Sequence, residues 1–222
     1  MKNWLDKMER RFGRYAIRNL TMYLLAGYAI GYLLSFTMPQ LLTYFTLEPA
    51  LILKGQVWRL LSWVIIPPND NIIFVIFMML LYYSLGNTLE SYWGAFRYNV
   101  YIFSGILFTV IGAFIVNGLI GGITGFGSLY STYYINMSIF LACASIMPDY
   151  QLLLYGIIPI KMKWLAVLDV VLLAVDAVQG GLIIRIVIIA SLLNFIISFS
   201  ATGICVDTVR NRLPAERNSR SR

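Results

Sequence analysis

Long apolar stretches, separated by short polar ones, set the pattern of this chain. A helix needs roughly 20 apolar residues to cross the hydrocarbon core of a bilayer. Six stretches reach or approach that length, at residues 20–38, 72–86, 98–119, 129–147, 164–178 and 182–199. The pattern therefore predicts an all-α fold: a polytopic membrane protein in which six transmembrane helices form one bundle over residues 20–200.

The composition agrees with a membrane protein rather than a water-soluble one. Of the 222 residues, 59% are hydrophobic and 12% are charged, and the mean hydropathy is +0.76. So many apolar side chains cannot be buried inside one water-soluble core of this size. The two cysteines, Cys143 and Cys205, lie in or beside apolar stretches. Neither a disulfide framework nor a metal or cofactor site is predicted.

Positive residues are concentrated in four regions that alternate along the six predicted spans. These regions are residues 2–18, Arg97, the pair Lys161 and Lys163, and residues 210–222. Because cytoplasmic loops retain Lys and Arg, this distribution predicts that both termini are cytoplasmic. The net charge of +7 is then explained by topology and by attraction to anionic membrane lipids. No nucleic-acid partner is predicted.

The two ends of the chain are predicted to lie outside the bundle. Residues 1–19 mix apolar and basic side chains at roughly helical spacing, which predicts a cytoplasmic amphipathic segment at the membrane interface. No small-residue cleavage pattern follows, so the segment is expected to stay attached. Residues 201–222 are predicted to form a basic cytoplasmic tail. The lack of a cleavable signal and of eukaryotic retention motifs favours a bacterial plasma membrane; the oligomeric state stays open.

The connection between the first two predicted helices is too apolar for a water-exposed loop. It contains Trp58, Arg59 and Trp63 among many aliphatic residues, which predicts an amphipathic hairpin lying partly in the outer membrane interface. Arg59 is expected to fix this hairpin through hydrogen bonds to backbone carbonyls or to lipid phosphates. If residues 57–65 are helical, Arg59 could also stack on Trp63 in a cation–π contact. These three residues are therefore candidate contacts for membrane lipids.

Three motifs resemble those of a known family and occur in its order: Trp58-Arg59 in the first connection, Leu89-Glu90 with Trp93-Gly94 after the second helix, and residues 159–164 before the fifth. Together they resemble the rhomboid superfamily of membrane proteins, including its derlin-like branch, over residues 20–200. The resemblance implies a compact six-helix bundle whose first loop lies sideways in the membrane. In pseudoenzyme relatives it implies binding, retaining or helping to extract client membrane proteins.

The chain departs from active rhomboids at the catalytic residues. The proteases of that family use a serine at the start of helix four and a histidine on helix six, and a serine hydroxyl is a poor nucleophile without such a base. The 222 residues include no histidine. Counted back from Pro148, the nucleophile position of the family falls on Tyr133. The resemblance therefore implies a pseudoprotease without catalytic residues.

A rhomboid-type serine protease with an atypical site is one alternative. Ser128, in the run GITGFGS, and Ser131 are the candidate nucleophiles. A lysine could replace the missing histidine, but Lys161 and Lys163 are predicted on the opposite side of the membrane, and Lys54 lies in a loop. The glycines before Ser128 are interpreted as a flexible turn into the fourth helix.

Polar residues inside predicted spans are costly in hydrocarbon and often functional. Asn136, Asp169 and Asn194 are expected to line the former catalytic interior, as contacts for lipid or for client segments. Asp169 could instead bond to Asn194. A small membrane transporter built on Asp169 is a second alternative, although the chain shows no repeat or broken-helix symmetry to support it.

Two charged pairs are predicted to be structural. Asp176 and Arg185 flank the turn at residues 177–181, where an ion pair would close it. Glu90 and Arg97 flank Trp93-Gly94 and are expected to tie a short loop to a helix end.

One function accounts best for these features. The chain is predicted to be a rhomboid-like integral membrane protein that is catalytically inactive and that binds or handles client transmembrane segments. Its predicted partners are membrane lipids and client transmembrane proteins.

Overall fold

The computed structural model describes residues 4–66, 72–119, 121–122, 124–130, 132–149, 151–154 and 158–202. Within these ranges the chain is mostly helical. The helices are α1 (Trp4–Phe12), α2 (Leu20–Thr37), α3 (Pro39–Phe45), α4 (Pro49–Ile52), α5 (Arg59–Ser62), α6 (Ile72–Trp93), α7 (Ala95–Leu119), α8 (Tyr133–Ile146), α9 (Met162–Gln179) and α10 (Leu182–Thr202). Short 3₁₀ helices cover Gly13–Tyr15, Trp63–Ile65 and Gly127–Leu129.

Each of the six apolar stretches coincides with a helix: α2 and then α6 to α10. The largest difference between a predicted and an observed boundary is at the end of α6, which continues past the apolar stretch to Trp93. The reason is that hydropathy falls in the polar last turns of this helix while the backbone stays helical. The fourth helix begins later than predicted, at Tyr133. Among the described residues, α2 and α7 have both the length and the apolar composition to cross a membrane, and Ile183–Ile197 of α10 is a shorter apolar stretch. Six spans therefore stay a prediction.

A small β-hairpin corrects the all-α prediction. Strands β1 (Gln151–Leu154) and β2 (Ile158–Lys161) pair antiparallel between α8 and α9, with Gln151 opposite Lys161. Pro159 is tolerated here because a two-stranded sheet has only edge strands, where a missing N–H can face outward. The apolar run that forms these strands is too short for its period to show in the sequence.

Helix α7 lies at the centre of the packing. It contacts α10 most extensively, and also α6, α8 and α1. Gly105 lets α10 approach closely, since a methyl group there would lie 3.0 Å from the amide nitrogen of Asn194. Gly86 of α6 has the same role beside α2, because an added methyl group would overlap the Thr21 side chain. The Thr21 hydroxyl also forms a 2.8 Å hydrogen bond with the hydroxyl of Tyr98 in α7. Small residues at such crossings let membrane helices pack tightly.

The first connection folds into three short helices, α3 to α5, followed by the 3₁₀ helix at Trp63–Ile65, which packs against α2. One face of this connection is apolar and open. Its exposed large side chains are Leu41, Tyr44, Leu53, Val57, Trp58 and Leu61.

Candidate functional site

Arg59 is the buried anchor of the first connection. Its side chain is only 3% exposed. The guanidinium donates to Gln56 Oε1 at 2.7 Å, to the carbonyl of Thr43 at 2.8 Å, and to the carbonyl and hydroxyl of Thr46 at 3.0 and 3.1 Å. Thr43 and Thr46 lie at the C-terminal end of α3, where carbonyls lack intrahelical donors and a cation is favoured. Of the two alternatives, it is therefore backbone carbonyls that hold Arg59.

The two tryptophans of this connection differ in their exposure. Trp58 is 51% exposed, and its indole N–H donates to the carbonyl of Tyr44 at 3.3 Å. Trp63 is 1% exposed and donates to the carbonyl of Leu60 at 3.0 Å. Trp58 can reach lipid, whereas Trp63 is a core residue, which corrects its assignment as a lipid or client contact. The cation–π contacts among the described residues involve Arg11 and Arg14 rather than Arg59.

Glu48 is a site residue that the sequence reasoning missed. Its side chain is 7% exposed, and Oε1 accepts the backbone N–H groups of Gly125 at 2.9 Å and Gly127 at 2.8 Å. Burial and, to a smaller extent, the Glu48 carboxylate raise the pKa of neighbouring Tyr130 to about 12. A signal was present, because Glu48 is the one acidic residue between Pro39 and Ile66.

The glycines before Ser128 do more than form a flexible turn. Gly125 has a φ of +104°, which favours glycine. At Gly127 a Cβ would lie 2.8 Å from Cγ of Glu48 and 2.9 Å from Cβ of Thr46. Backbone and carboxylate approach so closely that a side chain does not fit, and the turn is fixed to the first connection.

A polar cluster lies where α2, α6, α8 and α9 meet. The Asn136 amide of α8 donates to the hydroxyl of Tyr28 of α2 at 3.2 Å, and both side chains are buried. Tyr82 of α6 is within electrostatic range of Tyr28 and Asp169. Tyr133, which the resemblance placed at the family's nucleophile position, begins α8 and packs edge-to-face on Tyr134; it is within electrostatic range of Asp176 and Asp169. Asn136 is thus bonded to α2, and Asp169 is within electrostatic range of Tyr82 and Tyr133; a shared binding interior of Asn136 and Asp169 stays a prediction.

Asp169 is the acidic residue near this cluster, in the middle of α9. Its side chain is 6% exposed, and Oδ2 is buried with no hydrogen-bond partner among the described residues. A buried acceptor without a donor costs free energy and is rare in native structures. Burial of this kind inside a membrane protein marks a candidate binding position.

Asn194 does not belong to this cluster. Its side chain is 1% exposed, its amide donates to the carbonyl of Tyr101 at 3.2 Å, and its oxygen accepts the Ser104 hydroxyl at 2.6 Å. These bonds join α10 to α7. Asn194 is thus committed to helix packing, and the predicted bond to Asp169 is wrong.

Both predicted charged pairs have different partners in the structure. Arg185 donates to the carbonyls of Ala177 at 2.9 Å and Val178 at 3.3 Å instead of pairing with Asp176. The reason is that the last carbonyls of α9 lack intrahelical donors and attract a cation.

Glu90 and Arg97 each bind the N-terminal segment rather than one another. Arg97 pairs with Glu9 at 3.0 Å, and Glu90 Oε1 accepts the backbone N–H of Asn19 at 2.9 Å. Between them, Trp93 is buried and packs edge-to-face on Tyr101. Gly94 turns the chain with a φ of +83°.

The described candidates for an atypical protease are both exposed. Ser128 is exposed in the 3₁₀ helix Gly127–Leu129, and Lys54 is exposed in the first connection. Ser131 lies outside the described residues, as does the basic tail from residue 203 onward. No group of three or more His, Cys, Asp or Glu residues that could hold a metal ion occurs in the described part of the chain.

Among the described residues, α2 and α7 have the length and composition that a helical integral membrane protein requires. The chain belongs to the family described as "Eukaryotic integral membrane protein (DUF1751)", whose model matches residues 18–200. The prediction of a bacterial membrane is therefore wrong. That prediction was drawn only from the absence of a cleavable signal and of a retention motif. A eukaryotic membrane protein needs neither of them. No curated protein and no solved structure was found to be similar to the chain.

Proposed function

We propose that this protein is a rhomboid-like membrane protein of six spans, without protease activity, that binds transmembrane segments of client proteins. The observation that carries the proposal is Asp169 Oδ2, which is buried in α9 and has no hydrogen-bond partner among the described residues.

The chemistry of Asp169 defines the kind of client. A transmembrane segment that contains Lys, Arg, Ser or Asn brings a donor into hydrocarbon, where an unpaired polar group is costly. Joining that donor to Oδ2 satisfies two groups that are unfavourable apart. Polar contacts between membrane helices contribute about 1 kcal/mol each, so this pairing selects among clients rather than supplying all of the affinity.

The surface of α9 offers apolar area for the rest of the contact. Helix α9 packs against α8 and α10, and much of its remaining surface is exposed. The exposed side chains are Trp164, Val167, Leu168, Val170, Val171, Leu172, Val175 and Val178. Asp169 itself lies on the opposite, buried side of α9, so a client's polar residue would have to enter between α9 and its neighbouring helices to reach Oδ2.

The first connection supports a second part of the proposed role. Its open apolar face includes Trp58, Val57 and Leu61. Hydrogen bonds fix the connection, from Arg59 to the carbonyl of Thr43 and from the N–H of Gly127 to Glu48. Apolar side chains held this rigidly would insert into the outer interface and disturb lipid packing around a client.

Capture of a client should depend on Asp169. With a photoactivatable residue at Val171, we expect a single-span client with a central Lys to be crosslinked about fivefold more than the same client with Leu. Asp169→Asn should remove this preference, because an amide pairs less strongly with an ammonium group. Asp176→Asn, a change of the same kind on the same helix, is the matched control and should retain it. Equal crosslinking of both clients by the unmodified protein would contradict client selection, and stabilisation by small ions that depends on Asp169 would favour a transporter.

Proteolysis should be absent. The 222 residues include no histidine, and a serine hydroxyl without a base reacts slowly. We expect the purified protein to leave a rhomboid-type transmembrane substrate intact over hours. Cleavage that disappears in Ser128→Ala or Ser131→Ala would replace this proposal with an atypical serine protease.

A further inference from the structure

A groove of about 380 Å³ lies between the N-terminal segment and the first turns of α7, away from the cluster around Asp169. One wall is formed by Phe12, Tyr15 and Ile17, and the other by residues of α7. The ion pair between Arg97 and Glu9 holds the two walls together. The groove is thus a feature of folded structure rather than a gap beside a free terminus.

The α7 wall is an apolar track that leads along the helix. Phe96, Val100, Phe103 and Leu107 line it at intervals of three or four residues, and so share one helix face. With a rise of 1.5 Å per residue, the track extends roughly 16 Å from the start of α7 towards its centre. Phe103 and Leu107 are 47% and 56% exposed. A track of this shape and length fits an acyl chain.

One polar atom in the groove lacks a partner. Asn99 lines the groove and is 6% exposed, and its Oδ1 is buried without a hydrogen bond among the described residues. A carbonyl oxygen can only accept. The occupant should therefore carry a hydrogen-bond donor at the level of the first turn of α7.

The rim of the groove is positively charged. Arg14 stacks on Tyr15 with its guanidinium carbon 4.8 Å from the ring centroid, and Arg11 lies 5.6 Å from the centroid of Phe12. Arg18 is also exposed beside this rim. Cations at the edge of an apolar groove complement a phosphate at the membrane surface.

We propose that this groove binds one anionic phospholipid whose headgroup carries free hydroxyls, of the class to which phosphatidylinositol belongs. Its phosphate would face Arg11 and Arg14, a headgroup hydroxyl would donate to Asn99 Oδ1, and an acyl chain would follow Phe103 and Leu107. This proposal requires only that the protein is in a membrane, and it stands whether or not α9 binds clients.

Photoactivatable lipids in nanodiscs test the site directly. We expect phosphatidylinositol to label residues 96–107 about tenfold more than phosphatidylcholine, which has neither net charge nor a donor. Asn99→Leu keeps the side-chain volume but removes the acceptor, and should lower phosphatidylinositol labelling about fivefold. Asn117→Leu, near the other end of α7, should not change it. Arg14→Gln should lower labelling, whereas Lys54→Gln, beyond the far end of α2, should have no effect.

Three results would overturn the proposal. One is equal labelling by the two lipids, and another is unchanged phosphatidylinositol labelling in Asn99→Leu when that variant melts normally in detergent. The third is that soluble inositol phosphate competes with labelling as effectively as the unlabelled lipid does. The apolar track would then contribute nothing to binding. If Asn99→Leu folds poorly, two other measurements test the proposal: the lipid preference of the unmodified protein and the effect of Arg14→Gln on labelling.

Discussion

Replacing Arg59 with alanine is expected to lower the free energy of unfolding by about 3 kcal/mol. The guanidinium is buried and donates to Gln56, Thr43 and Thr46, so its removal leaves partly buried acceptors without donors. Helix α5 should then detach from the end of α3 and expose the buried Trp63. Thermal melting in detergent, followed by tryptophan fluorescence, measures the loss.

Two matched variants separate this role from a general effect of charge. Arg59→Lys keeps the charge but lacks the planar fork of donors, so we expect it to recover only part of the stability. Lys54→Ala removes an exposed cation from the same connection and should melt as the unmodified protein does. A normal melting temperature for Arg59→Ala would contradict an anchoring role for this arginine.

The sequence predicted helix positions well because hydropathy reports burial in lipid directly. Apolar runs located α2 and α6 to α10 to within a few residues at most ends. The hairpin between α8 and α9 was missed, since its strands are short and apolar like the helices around them. The extension of α6 to Trp93 was missed because polar residues of a last turn lower the hydropathy without ending the helix.

Pairing partners were predicted less well, because spacing along the chain does not show which segments pack together. Glu90 and Arg97 are seven residues apart, yet they bind Asn19 and Glu9 in the N-terminal segment. Arg185 lies near Asp176 in sequence, but free carbonyls at the end of α9 are better placed acceptors. For Glu90 and Arg97, tertiary contacts across 71 and 88 residues decide the partners.

The interior site was partly predictable. An acid in an apolar run is conspicuous, so Asp169 could be singled out from the sequence alone. Glu48 was not singled out, because it lies in a connection where a carboxylate is ordinarily solvated and because its partners are backbone amides 77 and 79 residues away. No side-chain pattern reports a backbone partner.

Glu48 also explains how the first connection and the start of α8 act as one unit. Arg59 fixes α5 to the end of α3, and Glu48 at the start of α4 holds the turn at Gly125 and Gly127. The open apolar face of the connection is therefore coupled to the loop that leads to Tyr133. A displacement of the connection should therefore also move the turn at Gly125 and Gly127.

Gly127→Ala tests this coupling and should lower the free energy of unfolding by about 3 kcal/mol. The new methyl group would meet Glu48 and Thr46 at 2.8 to 2.9 Å, and overpacking at such contacts costs about 1–3 kcal/mol before the amide bonds to Glu48 are lost. Gly118→Ala, a helical glycine of α7 with open space around it, is the control and should be neutral or slightly stabilising. In a Glu48→Ala background the Gly127→Ala change should cost less, since the clashing carboxylate is gone. Equal costs in both backgrounds would show that Glu48 does not hold the turn.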